Sequence, residues 1–371
     1  MKKIVLSVLI MSVVILAEAK ATYYRFVEMN MYREFEGVEQ VVEGEAKKIE
    51  CFQFKYDKSN RPVEIRHLTK MNESAGDFAG LGEEISMLSI EYDDSIFTVY
   101  DSISGITYKY KNTEAKYKAF NNSKEQVPFR GKIYSMIHSS TRQIIKDDQL
   151  ENSGYSLDWK NVGSDGLLCE DYLGVKRYFL DFINNGGLRI VKSTRIDENN
   201  YPITDNNGVT VIEFQYNDAG QLVYQTFKDG TENRIDSKIG YCEMRIERVD
   251  SNNTTAKINT YFDKDGLPAK NSVGAYSMKY FYDANKYLTA FLYLDTVGKP
   301  APAADMTTYA RFIRDNLFYT VKTEYFTSVK DSIKKTPPQL KIEGVPMFFM
   351  DGWEYKYDKK GILTEKNKIE K

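Results

Sequence analysis

Histidine is the side chain best suited to move protons near neutral pH, and this chain of 371 residues has two, His67 and His138. Neither stands in the setting of a nucleophile or metal motif. His67 follows a strand pattern and His138 falls in a segment of helical spacing, so both read as surface or satisfied structural side chains. The three cysteines, Cys51, Cys169 and Cys242, are widely spaced. An oxidising compartment would pair two of them and leave one thiol over; the other reading makes them small buried hydrophobes. Asp263-Lys264-Asp265-Gly266 has the outline of a calcium loop but lacks a third acidic ligand and the closing Glu. Its Asp and Gly are also what a tight turn requires. Glu83 and Glu84, like Glu170 and Asp171, are adjacent carboxylates. Neighbours on a strand point to opposite faces, so neither pair forms a general acid and base. No Gly-x-Ser-x-Gly, phosphate loop or dinucleotide fingerprint occurs. The residues assign no catalytic side chain, no cofactor and no metal.

Composition narrows the setting. The formal net charge is -2, which favours neither nucleic acid nor an anionic membrane. The Lys-rich tail from Lys356 to Lys371 is interleaved with Glu and Asp and reads as a solvated end. Aromatics make up 13% of the chain, with 28 Tyr and 20 Phe, and such residues fit pleated, half-buried strands. Met1-Lys2-Lys3, an apolar run from Ile4 to Leu16 and Ala17-Glu18-Ala19-Lys20-Ala21 describe a secretory signal, cleaved after Ala19 or after Ala21. No later apolar run is long enough to span a bilayer, so no transmembrane segment is expected after cleavage. The expected location is therefore secreted, periplasmic or at the surface of a bacterial cell. Sequons at Asn72, Asn121, Asn252 and Asn253 mark polar loops.

The elements that would position any site come from a repeat. Phe214-Gln215-Tyr216-Asn217-Asp218-Ala219-Gly220-Gln221-Leu222 matches Tyr280-Phe281-Tyr282-Asp283-Ala284-Asn285-Lys286-Tyr287-Leu288. It also matches Tyr355-Lys356-Tyr357-Asp358-Lys359-Lys360-Gly361-Ile362-Leu363. A second variant ends in Pro: Asp197 to Pro202, Asp263 to Pro268 and Asp295 to Pro300. A mixed copy spans Phe54 to Pro62. Turn positions at Asp197, Asn217, Asp229, Asp250, Asp263, Asp283, Asp295 and Asp315 are separated by 20, 12, 21, 13, 20, 12 and 20 residues. The next short step lands on Thr327. Alternating long and short steps define a repeat of the scale known for repeat architectures.

Each part has a physical reason. Aromatics two apart share a strand face, giving stripes at Ile212/Phe214/Tyr216, Met278/Tyr280/Tyr282 and Trp353/Tyr355/Tyr357. The Asp or Asn side-chain oxygen accepts a backbone N–H two residues on. Gly220, Gly266, Gly298 and Gly361, or Asn60 and Asn200, sit where a type I turn with a G1 bulge needs positive φ. Lys286 breaks that pattern, so its turn should be strained or different. Pro268 and Pro300 should begin connections or lie at edges. A strand should run from Gly208, Gly240 or Gly274 to the next turn, and neighbouring hairpins should pair edge to edge.

The first half is less regular. Leu88/Ile90/Tyr92 before Asp93 and Ile106/Tyr108/Tyr110 after Gly105 read as strands. Ile133, Met136, Ile137 and Ile144 recur at helical intervals and predict a helix between Arg130 and Asp148. Asn184-Asn185-Gly186-Gly187 marks a turn or linker, and Lys330 to Pro338 a loop insertion. The expected organisation is a signal over 1–21, a β-rich region over 22–187 and a hairpin repeat region over 188–371. The expected fold is mainly β: an antiparallel β-hairpin repeat array forming an extended twisted sheet, after a less regular β-rich region with at most one helix.

The aromatic-x-Tyr-Asp-x-x-Gly-x-Leu segments resemble the YD repeats of RHS-like bacterial surface and toxin-associated proteins. They are closer to bacterial tandem repeats alternating Tyr-Phe-Asp-x-x-Gly-x-Pro with Tyr-x-Tyr-Asp-x-x-Gly-x-Leu. The match covers Ser193 to Thr327 and Trp353 to Thr364, with an isolated copy at Phe54 to Pro62. In RHS-like proteins such hairpins wrap a cargo polypeptide. Here the steps alternate, Gln221 or Ile362 stands where Arg is usual, and the array is too short to enclose a domain. The resemblance implies a hairpin array in an envelope or extracellular setting and transfers no catalytic residue.

Two functions fit these expectations. One is a non-enzymatic exported protein that binds a protein or glycan partner through Phe214, Tyr216, Tyr280, Tyr282, Tyr355 and Tyr357. Those stripes are either an open contact face or core. The other is a carboxylate-based, glycosidase-like hydrolase with its site in 112–187.

Overall fold

The computed structural model describes residues 21–70, 85–101, 106–129, 132–144, 150–185, 188–251, 254–329 and 340–369. The expected signal segment up to Lys20, Asn72, Glu83, Glu84, Gly105, Gly186, Gly187, Asn252, Asn253 and the expected loop insertion from Lys330 to Pro338 lie outside them. The described residues form one antiparallel sheet of 22 strands that does not close, plus one short helix. The first half holds β1 (Thr22–Met29), β2 (Phe35–Val41), α1 (Glu43–Ala46), β3 (Cys51–Tyr56), β4 (Pro62–Leu68), β5 (Met87–Asp101), β6 (Ile106–Phe120), β7 (Gln126–Val127), β8 (Ser135–Ile144) and β9 (Leu150–Val162). The repeats follow as β10 (Arg177–Asn185), β11 (Leu188–Ile196), β12 (Val211–Tyr216), β13 (Leu222–Lys228), β14 (Glu243–Ser251), β15 (Thr254–Phe262), β16 (Ser277–Tyr282), β17 (Leu288–Leu294), β18 (Tyr309–Arg314) and β19 (Thr320–Thr327). β20 (Leu340–Ile342), β21 (Val345–Tyr357) and β22 (Leu363–Ile369) end the chain.

Pairing follows chain order almost throughout. β1 lies between β2 and β3, β6 pairs with β8, and from β8 to β19 every strand pairs with the next. Local connections of this kind keep loop-closure entropy small.

The turn chemistry is uniform. In Asp263–Leu267 the carboxylate accepts the N–H of Asp265 at 3.0 Å and of Leu267 at 2.8 Å. Asp57, Asp197, Asp283, Asp295, Asp315 and Asp358 repeat the arrangement. The register shifts at Tyr56, Tyr216, Tyr282, Arg314 and Tyr357, which is the bulge the turn requires. Backbone φ is positive at Gly220 (73°), Gly266 (84°), Gly298 (78°) and Gly361 (86°).

Three expectations need correction, and a fourth holds in one of its two forms. The Lys286 turn is strained rather than different: Lys286 takes the left-handed φ of 64° while Asp283 makes both usual bonds. Asp250 is not a turn residue; it lies inside β14 and pairs with Thr255. Gly208, Gly240 and Gly274 do not start strands. Each closes a second turn, and the strand begins three residues later, at Val211, Glu243 and Ser277. Finally, Met136, Ile137 and Ile144 lie on β8 and not on a helix. After Ser135, which is also buried, the buried positions along β8 alternate as Met136, His138 and Ser140, a period of two whose polar members hide it in the sequence.

The second turns recur at Asp171–Gly174, Asp205–Gly208, Ser237–Gly240, Asn271–Gly274 and Ala303–Met306. Each follows a first turn, beginning with Gly163–Gly166 and ending with Asp295–Gly298. The two-turn connector therefore starts before residue 188. Pro268 and Pro300 begin these connectors, each held by a single bridge to Phe262 or Leu294.

The β1–β2 hairpin lies against the repeat array. Phe26 meets Tyr287 edge to face with ring centroids 4.9 Å apart, and the Arg25 guanidinium sits 4.7 Å from the Phe318 ring centre. At its other end Met31 is buried among Tyr155, Leu157, Leu180 and Phe182. A separate core of Phe54, Ile65, Leu88 and Tyr117 holds β3–β6 together. Full burial of such side chains contributes about 1.5–3 kcal/mol each.

Candidate functional site

The ladder places the three aromatic stripes on one face. Phe214 stands opposite Gln225, Gln225 opposite Met244, and Met244 opposite Tyr261. Two residues from Tyr261, Asn259 stands opposite Met278, the neighbour of Tyr280 on that face. Tyr280 leads through Phe291 and Ala310 to Tyr325, and Thr323 stands opposite Trp353, two before Tyr355. The opposite face carries ion pairs, among them Lys228–Glu213 at 2.6 Å, Arg245–Glu243 at 2.5 Å and Lys322–Glu324 at 3.0 Å.

All six candidate aromatics are half-buried. Phe214 and Tyr216 pack on the cluster that holds Met31. The Lys257 Nζ lies 4.9 Å from the Tyr280 ring centre. Burial pushes the Tyr282 phenol up, with Arg248 acting against it and Glu28 of β1 with it. The Tyr357 hydroxyl donates to the Thr320 carbonyl at 3.0 Å, and the Lys366 Nζ lies 5.9 Å from the Tyr355 ring. The stripes thus form one continuous face, part of which the β1–β2 hairpin overlies.

Beside Phe214 the face opens into a cavity of about 410 Å³, within the range of small-molecule pockets. Trp159 of β9, Tyr178 of β10 and Phe214 of β12 supply aromatic walls, and Phe129, Ile133 and Met136 an apolar floor. Arg33, Arg195, Asp171, Asn161 and Ser193 bring polar groups. Among the six aromatics expected from the sequence, only Phe214 lines this cavity.

Most of the polar groups are already engaged. The Trp159 Nε1–H donates to Asn161 Oδ1 at 3.1 Å, and Asn161 Nδ2 donates to the Val175 carbonyl at 3.1 Å. Asp171 accepts the N–H of Leu173 at 2.9 Å and of Val175 at 3.1 Å, and the Tyr178 hydroxyl donates to its other oxygen. Burial and that bond to Asp171 push the Tyr178 phenol well above its ordinary value. Arg195, only 3% exposed, pairs with Asp205 at 3.0 Å through Nε and donates from Nη1 to the Ser193 carbonyl at 3.0 Å. Its Nη2 has no hydrogen-bond partner among the described residues.

Arg33 differs. It closes the β1–β2 turn in left-handed backbone, φ 60°, where Asn30 Oδ1 accepts the N–H of Tyr32 at 2.9 Å and of Glu34 at 3.0 Å. Its guanidinium lies 5.3 Å from the Phe214 ring centre and makes only a long 4.0 Å contact to Met29 Sδ. No carboxylate pairs with it among the described residues. Burial lowers its proton affinity, and the neighbouring Arg195 charge lowers it further. A second cavity, of about 600 Å³, is lined by charges that are paired: Arg142 with Glu34 at 2.8 Å, and Arg61 with Asp57 at 2.9 Å and Asp94 at 2.8 Å.

Neither histidine and no cysteine lines either cavity, although His138 packs behind Trp159. His67 Nε2 contacts Glu50 at 2.7 Å and its ring stacks on Phe52. His138 is buried between Tyr117 and Trp159, and burial, then the Arg33 charge, push its pKa down to about 3. All three cysteines are free thiols; burial pushes Cys51 up to about 12. No group of three or more His, Cys, Asp or Glu among the described residues is placed to hold a metal ion. No helix among them is long and apolar enough to cross a membrane.

Arg33, Trp159, Tyr178 and Arg195 were not singled out from the sequence, and Asp171 was weighed there only as half of an adjacent carboxylate pair. They come from distant segments and share no motif. One signal was available: Asp171-Tyr172-Leu173-Gly174 has the same Asp-x-x-Gly form as Asp205-Asn206-Asn207-Gly208. No protein-family model matches the chain, and no curated protein matches its sequence.

Proposed function

We propose that this chain is an exported, non-enzymatic binding protein of the bacterial envelope or extracellular space, and that its partner is a glycan seated at the Arg33–Phe214 cavity. The observation that carries this reading is the combination of three aromatic walls with a guanidinium that has no carboxylate partner among the described residues, in a hollow of small-molecule size. Aromatic rings stack on the apolar faces of sugar rings, and a guanidinium supplies hydrogen-bond donors. Tyr216, Tyr280, Tyr282, Tyr355 and Tyr357 extend the same face and are proposed as secondary contact area for a longer glycan or for a protein partner. The signal-like start and the resemblance to YD repeats support the exported setting.

A hydrolase using this hollow would need two carboxylates roughly 5–10 Å apart across it. The carboxylate on its wall is Asp171, whose oxygens are occupied by two backbone N–H groups and the Tyr178 hydroxyl. That engagement favours binding over turnover.

The test is saturable retention of the purified mature chain on immobilised glycans and on cell-envelope material, with and without Trp159→Ala. The expected result is retention by the native chain, loss in the variant at a temperature where its circular dichroism shows it still folded, and an unaltered glycan. Retention that survives Trp159→Ala, or steady release of cleaved sugar, would overturn the reading.

A further inference from the structure

The cavity's charge specifies its ligand further, on the basis of the glycan reading above. Two guanidinium groups, Arg33 and Arg195, line it. Asp205 neutralises Arg195, and Asp171 is bonded to Tyr178 and to backbone. Among the described residues no carboxylate pairs with Arg33. Arg33 is half-buried against Phe214, where a guanidinium without a carboxylate among the described residues is left free to pair with one that enters. Arg33 and the unbonded Nη2 of Arg195 offer donors suited to a carboxylate, which accepts such nitrogens in a planar, directed way. The rings of Trp159, Tyr178 and Phe214 flank the same space, and the Ser193 hydroxyl lies on the wall beside Arg195.

We propose that the cavity binds an acidic sugar, its ring stacked on the aromatic wall and its carboxylate held between Arg33 and Arg195. The left-handed turn aims Arg33 inward. Residues at the same turn position elsewhere are often Gly, as at Gly220 and Gly298, so the turn itself does not need this side chain.

The experiment is isothermal titration of the mature chain with glucuronate and galacturonate, their neutral counterparts glucose and galactose, and sodium acetate. The acidic sugars should bind at least about tenfold tighter than the neutral ones, the usual scale for a desolvated charge contact. The preference should shrink as salt is added. Acetate, with charge but no ring, should bind more weakly than either acidic sugar. Arg33→Gly suits the turn, keeps the fold and should bring acidic and neutral sugars to equal affinity. Arg33→Lys should keep part of the preference. Equal binding of acidic and neutral sugars by the native chain, still abolished by Trp159→Ala, would overturn the acidic-sugar assignment and leave the glycan reading standing. Acetate binding as tightly as the uronates would make the site a simple carboxylate receptor and overturn the sugar. No binding of any sugar would overturn both.

Discussion

The Arg33 guanidinium lies over the Phe214 ring, 5.3 Å from its centre, and so ties the tip of the first hairpin to the repeat array. The contact joins a charged residue to an aromatic face, and such pairs contribute about 0.5–2 kcal/mol depending on burial. Phe214→Ala should destabilise the fold by about 1–3 kcal/mol, less than a fully buried Phe, and should speed amide exchange in Thr22–Met29. Urea denaturation and hydrogen exchange read these effects. Unchanged exchange in Thr22–Met29 would mean that the hairpin is held without this contact.

The turns separate two uses of glycine. A Cβ on Gly220 would meet nothing within 4 Å, whereas one on Gly240 would come 2.4 Å from the Lys270 carbonyl oxygen. Gly220→Val should therefore cost about 1–2 kcal/mol through the backbone alone. Gly220→Asn should cost only a few tenths, because Asn tolerates left-handed backbone. Gly240→Asn should be much worse than Gly220→Asn, since the obstacle there is contact. Equal melting temperatures for the two Asn variants would contradict the distinction.

These turns were legible because one acceptor side chain and one left-handed residue suffice to specify each, and both show as letters at fixed spacing. The sheet followed from them. β8 was misread because His138 and Ser140 occupy inward positions, breaking the apolar alternation that marks a strand. The cavity was not legible at all. Arg33, Trp159, Tyr178 and Arg195 meet only because the first hairpin folds back over β9–β12, and no local pattern encodes that return.

His138 gives a pH dependence. Its folded pKa of about 3 lies below the ordinary 6.5, so the unfolded chain binds more protons between those values. The stability it contributes is present above pH 6.5 and is lost as pH falls toward 3. The slope approaches about 1.4 kcal/mol per pH unit. His138→Phe should remove this component, so native and variant stabilities should converge or cross as pH falls from about 6 to 4. Parallel curves across that range would show that His138 is protonated in the fold.

Arg195 and Asp205 form a nearly dry ion pair at 3.0 Å, and Asp205 also caps its turn through the N–H of Asn207 at 2.9 Å and of Val209 at 3.0 Å. Asp205→Asn keeps the cap and strands the charge, so it should cost about 3–5 kcal/mol. Arg195→Met in that background should restore part of the loss. A double-mutant cycle by urea denaturation measures the coupling, and strictly additive single effects would contradict the buried pair.

Export is checked by N-terminal sequencing of the chain recovered outside the cytoplasm. The expected start is Lys20 or Thr22; a recovered chain beginning at Met1 would contradict a cleaved signal.

The central claim is that a ligand stacks in the hollow between the first hairpin and the repeat sheet. Trp159 and Trp353 are the two tryptophans of the chain, and only Trp159 lines that hollow. In the Trp353→Phe protein, titration with galacturonate should shift or quench the remaining emission to saturation, at the midpoint found by calorimetry. Calorimetric binding with no change in Trp159 emission would place the ligand elsewhere and contradict the account.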